Sequence, residues 1–323
     1  MPLGTHELAV SRSCCPNLSS SPERIWYIPE PNASVELDLG GGATILLRRH
    51  GNPEGPRILV SHGNGLASDM YYPFWSLLED EFDLVVYDLR NHGRNPVGDI
   101  DGHNIPNMVD DHDRVLEAVA ANFGEKPAIG LYHSVSALIA LLSPALGANY
   151  QALVLIDPPI TKAGRDYQEF EAAANRAAAM ARRRADNIPT KIKMIEVLSV
   201  IPIYQRMVPG VYQLIADTTL RPNRSREGFT LRCPKEYEAR IMEYACAFAV
   251  AVDLEAIECP IQVIGADPTI PYSYLPSLDL SAIARVNYDF IPDSTHFLQL
   301  EEPEECLAMM REFLGTIGAL DQG

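Results

Sequence analysis

The stretch P-A-I-G-L-Y-H-S-V-S-A, residues 127–137, decides how the chain is read. An apolar run with strand character ends at Leu131, Tyr132 and His133, and S-A-L-I-A-L-L, with helical spacing, follows from Ser136. Ser134 stands at the joint. A sharp turn from strand into helix strains the serine backbone, exposes its hydroxyl and sets a helix N-terminus beneath any carbonyl brought there. Neighbouring strands and helices crowd such a turn, so small residues are favoured two before and two after the serine. Here those positions hold Tyr132 and Ser136. The same pattern also suits a serine acting as a helix N-cap, and Ser136 is a second hydroxyl one turn into the helix, without the exposure of the joint. A nucleophile needs a base, an acid and oxyanion donors from the rest of the chain.

Working outward, R-I-L-V-S-H (57–62), D-L-V-V-Y-D (83–88), A-L-V-L-I-D (152–157) and P-I-Q-V-I-G (260–265) are apolar runs like the one before Ser134. Continuous apolar strands mark a parallel sheet covered on both faces. Helical spacing over 70–80, 107–122 and 134–143 lies between them, giving an alternation of strand and helix. This predicts a doubly wound α/β fold with right-handed crossovers. Upstream, I-W-Y-I-P (25–29), S-V-E-L-D-L (34–39), a glycine turn at 40–42 and T-I-L-L-R-R-H (44–50) predict an antiparallel edge. Residues 1–22, rich in Ser and Pro, have no period and are expected to form a flexible arm.

From 160 to 252 the rhythm is replaced by an alanine-rich run, E-F-E-A-A-A-N-R-A-A-A-M-A-R-R-R (169–184), followed by prolines at 189, 202, 209 and 222. We expect a helical cap inserted into a core made of 23–159 and 253–323. Such caps shape a substrate pocket. Met194, Met207, Tyr212 and Phe248, along with Tyr204 and Met242, are the candidate lining residues, although the same side chains could instead pack the interior of the cap.

Near the end of the chain, V-N-Y-D-F-I-P-D-S-T-H-F-L-Q-L-E-E-P-E-E (286–305) reads as a strand, a loop with His296, and a helix opening at Glu302 or Pro303. A base placed after the last strand can reach a serine at the joint. The third member is a carboxylate at the carboxyl end of a strand. Asp267, in P-I-Q-V-I-G-A-D-P, is the first choice, and Asp157, in A-L-V-L-I-D-P-P, is the alternative acid. S-H-G-N-G-L (61–66) follows the first buried strand, where a turn of this kind can aim the backbone amide of Asn64, with that of Val135, at an oxyanion.

The order of strand, His-Gly turn, strand, elbow serine, acid and histidine resembles the α/β-hydrolase superfamily over about residues 25–315. D-L-R-N-H-G-R-N (88–95) is similar to the Asp-x-Arg-Gly-His-Gly-x-Ser turn of many members, with Asn91 and Asn95 replacing a glycine and a serine. The resemblance implies Ser134 as nucleophile, His296 as base, Asp267 as orienting acid and the Asn64 and Val135 amides as oxyanion donors. It implies structural roles for Arg90, His92 and His133. A serine at the elbow, where epoxide hydrolases and haloalkane dehalogenases carry aspartate, favours cleavage of an ester, lactone or thioester of a small-to-medium apolar substrate. A carbon–carbon bond hydrolase, and a non-hydrolytic protein of the same fold acting as ligand receptor or cofactor-free oxygenase or lyase, are the alternatives.

Bulk composition narrows the partners. Twenty-six Lys and Arg against 43 Asp and Glu give a net charge of −17, which repels phosphate backbones and anionic lipid. A small-molecule substrate is expected, with no nucleic acid and no membrane partner. A homodimer is compatible with the sequence, which does not specify an oligomeric state. His112 lies in an acidic cluster without further histidines at ligand spacing, so no catalytic metal and no cofactor are expected. The six scattered cysteines, the lack of a secretory leader pattern and the lack of a long apolar segment together predict reduced thiols and a cytoplasmic location.

Overall fold

The computed structural model describes residues 25–161, 164–270 and 286–320. Ala33–Gly40 (β1) and Ala43–Gly51 (β2) pair antiparallel across the glycine turn. The expected run at 25–29 forms no strand; Pro29 and Pro31 supply no amide hydrogens for a ladder. Arg57–Ser61 (β3) and Asp83–Tyr87 (β4) follow. The helix expected over 70–80 is broken into 3-10 turns at Ser68–Tyr71 and Ser76–Leu78 around a short helix, Tyr72–Trp75 (α1). Pro73 sits in the first turn of that helix, where its missing amide costs nothing, and it would clash in a helix interior.

Ile105–Phe123 (α2) starts at Asn104, whose side chain accepts from the Asn107 amide. Ala128–His133 (β5), Val135–Leu142 (α3) and Ala152–Ile156 (β6) match the expected elements. The next segment carries Arg165–Arg182 (α4), Lys191–Ser199 (α5), Val211–Thr219 (α6), a short antiparallel pair Leu220–Pro222 (β7) and Phe229–Leu231 (β8), and Lys235–Ala249 (α7). The chain then returns to the main sheet as Ile261–Gly265 (β9) and Val286–Phe290 (β10), and closes with Leu298–Glu301 (α8) and Pro303–Thr316 (α9).

The main sheet has eight strands in the order β1-β2-β4-β3-β5-β6-β9-β10. β1, β2 and β4 are antiparallel neighbours, and every pairing from β4 to β10 is parallel. Every residue of β3, β4, β5, β6 and β9 is buried, which is why these strands read as unbroken apolar runs. Alternate side chains fill two cores. Leu59, Val85, Leu153 and Val263 meet Val115 of α2 and Leu138 of α3, while Ile58, Val86, Val154 and Ile264 meet Trp75 and Leu314 on the other face. Parallel strands deliver their carboxyl ends to one edge, and the residues after β3, β5, β6 and β10 therefore converge there.

The arm expected at residues 1–22, with Cys14 and Cys15, lies outside the described residues. Cys233, Cys246, Cys259 and Cys306 are buried free thiols. Among the described residues no helix is long and apolar enough to cross a membrane.

Candidate active site

Ser134 directly follows β5 with φ 54° and ψ −121°, a region that side chains other than glycine avoid. The strain is held by the backbone: the Ser134 amide donates to Ile156 O (2.9 Å) on β6, and its carbonyl accepts from Leu138 N (3.1 Å) in α3. The side chain makes no cap bond. Its Oγ lies 3.0 Å from His296 Nε2 instead.

The two non-glycine neighbours of the elbow have separate explanations. Tyr132 points into the core beneath α2, where its hydroxyl meets Tyr150 Oη (2.9 Å), which in turn bonds His112 Nε2 (2.7 Å). Room for the ring comes from Gly130 on the same face of β5. A Cβ there would fall 2.5 Å from Tyr132 Cε2 and 2.6 Å from Leu153 Cδ2. Ser136 donates its hydroxyl to His133 O (2.9 Å) and accepts from His133 N (3.1 Å), so it is committed to the turn.

His296 Nδ1 lies 2.5 Å from Asp157 Oδ2. This corrects the choice of acid: the partner of the imidazole is the alternative, Asp157, and Asp267 is turned away. Asp157 directly follows β6, the strand beside β5, with φ 40°. Its amide donates to Ile264 O (2.9 Å), and its Oδ1 accepts from Ala266 N (3.2 Å). Asp267 lies one strand further from Ser134. Its Oδ1 accepts from the amide and hydroxyl of Thr269 (2.8 and 2.7 Å), and its Oδ2 from Asp293 N (2.7 Å). The Thr269 hydroxyl and these amides hold its carboxyl below the ordinary range. Asp267 therefore braces the loop that carries His296, with its amide also donating to Ser294 O (3.0 Å). On the other side of that loop, buried Glu301 accepts from Thr295 N (2.7 Å) and Thr295 Oγ1 (2.5 Å).

The turn after β3 runs against the serine. A Cβ on Gly63 would meet His133 Nδ1 at 2.9 Å and Ser134 Cβ at 3.1 Å, so only glycine lets the backbone of Asn64 come this close. Val135 is the first residue of α3, and its amide has no intrahelical acceptor. Asn64, Val135, Ser134 and His296 all line one cavity.

Buried histidines hold this turn. His62 Nδ1 donates to Gly63 O (2.6 Å) while Nε2 accepts from Leu89 N (3.1 Å). His92 Nδ1 donates to Arg90 O (2.8 Å) and Nε2 accepts from Gly65 N (3.0 Å). His133 Nε2 donates to His296 O (2.8 Å) and Nδ1 accepts from the Tyr71 hydroxyl (2.7 Å), which also receives Gly63 N at 3.4 Å. Each ring must be neutral to accept, and burial holds all three below the ordinary histidine range. Within 88–95, Asp88 accepts from Ser68 N and Arg94 N, and Arg90 pairs with Asp111. That turn acts as a brace for the Gly63–Gly65 backbone.

Two chambers lie between the strand ends and the helices that follow β6. The inner one, about 80 Å³, is bounded by Ser134 and His296 below and by Phe170, Ala174, Ile241 and Ala245 of α4 and α7 above. The outer one, about 490 Å³, extends between α4, α5 and α6, with Met194, Leu198 and Ile215 in its wall. Of the expected lining residues, Met194, Tyr204 and Met242 border these chambers. Met207 and Tyr212 pack against one face of the main core and Phe248 against the other, and the Tyr212 hydroxyl donates to Tyr204 O (2.7 Å).

Three residues were not anticipated: Tyr71, Arg184 and Glu238. No spacing rule marks Tyr71. Glu238 shares the apolar face of α7 with Ile241 and Ala245, at intervals of three and four residues, and that spacing alone would have shown a carboxyl on a buried face. Burial raises its pKa, and Arg184 opposes the rise. Among the described residues no group of three or more His, Cys, Asp or Glu is arranged to hold a metal ion.

Residues 58–309 match the model of the alpha/beta hydrolase family. No curated protein matches the chain. Solved structures of similar fold include E-2-(acetamidomethylene)succinate hydrolase, 19% identical over 88% of this chain and 99% of that one, with a TM-score of 0.68. The thioesterase domain from the curacin biosynthetic pathway is 17% identical over 86% of this chain and 100% of that one, with a TM-score of 0.65. A thermophilic esterase from Thermogutta terrifontis is 20% identical over 88% of this chain and 99% of that one, with a TM-score of 0.62. With most of its length matched by the family model and an eight-stranded, mostly parallel sheet flanked by helices, the chain belongs to the alpha/beta hydrolase family.

Proposed function

We propose that the protein is a serine hydrolase that cleaves an ester, lactone or thioester of a small-to-medium, largely apolar substrate through an acyl-enzyme. The observation that carries this reading is the line Ser134 Oγ, His296 Nε2, His296 Nδ1 and Asp157 Oδ2, with contacts of 3.0 and 2.5 Å, built on a strained elbow. His296 Nε2 takes the hydroxyl proton as Ser134 Oγ attacks the carbonyl carbon, and Asp157 steadies the imidazolium that forms. The Asn64 and Val135 amides receive the oxyanion. His296 passes the proton to the departing oxygen or sulfur, and the acyl group stays on Ser134. Water then enters, gives a proton to Nε2 as its oxygen attacks the acyl carbon, and His296 returns that proton to Ser134 Oγ as the acid leaves. The helices between β6 and β9 act as a cap: Phe170, Ala174, Ile241 and Ala245 dry the inner chamber, which strengthens each electrostatic contact in it.

Intact-mass analysis after fluorophosphonate treatment, with peptide mapping, tests this reading. One adduct on Ser134 that is lost in His296→Ala is the expected result. No adduct, or one on Ser136, overturns it.

A further inference from the structure

Six residues line both chambers: Leu66, Ala177, Arg184, Tyr204, Glu238 and Met242. Two of them form a charge pair at this throat, Arg184 Nη1 lying 2.6 Å from Glu238 Oε2. The pair is asymmetric. The Glu238 side chain is 3% exposed and that of Arg184 33%. Glu238 is also pinned: its carbonyl accepts from Asn64 Nδ2 (2.8 Å), and its Cδ sits 2.5 Å from where a Cβ on Gly65 would be. The acid is thus a fixed anchor against the turn after β3, and the cation is the more exposed member of the pair where the two chambers join.

Such a pair is a poor route to stability, because desolvating two charges costs about as much as their attraction returns, and apolar residues of similar volume often serve as well. In an otherwise apolar cavity a few placed polar groups set ligand orientation. The sign of the local charge is the second argument. Arg183, Arg184 and Lys193 border the outer chamber, with Glu238 as the one acidic side chain among its lining residues. Glu238 answers Arg184, and Glu196, 2.8 Å from Lys193 Nζ, answers Lys193, so Arg183 remains as one cation in excess at this wall, in a chain whose net charge is −17.

We propose that Arg184 is a specificity residue that binds a carboxylate carried by the substrate, joined to the scissile carbonyl group by a short apolar chain. This rests on the serine-hydrolase reading for the position of the scissile bond. The substrate class is then an acidic ester or thioester, of which half-esters of aliphatic dicarboxylic acids are the simplest members. Guanidinium suits the task because its planar fork matches a carboxylate with two parallel hydrogen bonds.

The test compares kcat/KM for the nitrophenyl half-ester of adipic acid with that for nitrophenyl hexanoate. A second pair, the hexanoyl esters of 4-hydroxybenzoate and of phenol, moves the acid to the leaving group. In wild type the acidic member of one pair is preferred, and which pair it is assigns the carboxylate to the acyl or the leaving side. In Arg184→Met that acidic-to-neutral ratio falls about 10- to 100-fold, mainly through KM. Arg184→Lys retains part of it. Because Arg184→Met strands Glu238, the double variant Arg184→Met/Glu238→Gln is measured alongside, and its ratio falls equally. A ratio unchanged in both variants, or no preference in wild type, overturns the inference. Calorimetry with monomethyl adipate and methyl hexanoate on Ser134→Ala protein needs no turnover. Loss of Arg184-dependent selectivity there sinks the inference, whereas selective binding by a protein that hydrolyses nothing sinks the serine-hydrolase reading alone.

Discussion

The loops at the strand ends and the helices between β6 and β9 face the same cavity but are built on opposite terms. In the loops, three histidine rings are buried and bonded on both sides. His62, His92 and His133 each donate through one nitrogen and accept through the other, and Thr295 is tied to Glu301. In the helical segment, α4 and α7 meet through small side chains, Ala174, Ala178 and Ala181 against Ala239, Cys246 and Ala249. Apart from Arg184 with Glu238, its ion pairs are solvent-facing, and Ile192, Val197 and Val200 stand exposed. A buried, mutually satisfied network has few alternative arrangements, whereas an alanine seam with screened charges has many of similar energy. Precision at the reacting atoms therefore comes from the sheet, and the choice of what enters is left to the part that can change most cheaply.

The largest test of that contrast uses the two carboxylates of the loop region. Asp157→Asn is expected to lower kcat for ester hydrolysis by about 10⁴-fold, because the amide no longer holds the imidazole tautomer or its positive charge. Asp267→Asn is expected to keep kcat within about tenfold and to lose about 1–2 kcal/mol of stability, since an amide answers only part of the Thr269 and Asp293 bonds. Steady-state rates with urea unfolding on both variants decide it. The reverse order would return the acid's role to Asp267.

That pair also marks where the sequence stopped being legible. The five apolar runs and the joint at Ser134 report the sheet directly, because burial on both faces leaves no other composition for the central strands. Asp157 and Asp267 look alike in sequence, each after an apolar strand and before a proline. What separates them is spatial order, with β6 beside β5 and β9 beyond it, together with the offset of Asp157, which follows its strand as directly as Ser134 follows β5. The helix expected at 70–80 starts late, at Tyr72 with Pro73 in its first turn, and passes into a 3-10 turn at Ser76, which its spacing did not reveal. Among the apolar side chains of residues 160–252, composition alone could not divide chamber wall from packing: Met194 packs on the core and also lines the outer chamber, whereas Met207 packs on the core without lining it.

Tyr132 is the next point at which the comparison can be broken. The elbow tolerates it because Gly130 makes room and because Tyr150, itself held by His112, engages its hydroxyl. Restoring the usual small residue with Tyr132→Gly is expected to destabilise the fold by about 3–5 kcal/mol, the cost of removing a fully buried aromatic ring from a close-packed core. Urea unfolding measures it, and fluorophosphonate labelling of the folded fraction reports whether the elbow survives. A loss under about 1 kcal/mol would mean that the loop region is as forgiving as the helices above it.

The smallest effect belongs to the helical segment. Arg182 at the end of α4 engages Glu243 through both terminal nitrogens and Glu236 through Nε (3.0 Å), joining α4 to α7. Those hydrogen bonds, Glu243's first, raise the pKa of the guanidinium, but all three side chains are more than a third exposed. Water and salt screen the attraction, and ordering three long side chains offsets what remains. Arg182→Ala is therefore expected to cost less than about 1 kcal/mol and to approach zero at high salt, read as thermal midpoints at two ionic strengths. A loss above about 2 kcal/mol that persists in salt would show that α4 is locked onto α7 by charge. The segment would then share the rigidity of the strand-end loops, and substrate choice would have to be sought in side-chain identity alone, with Arg184 foremost.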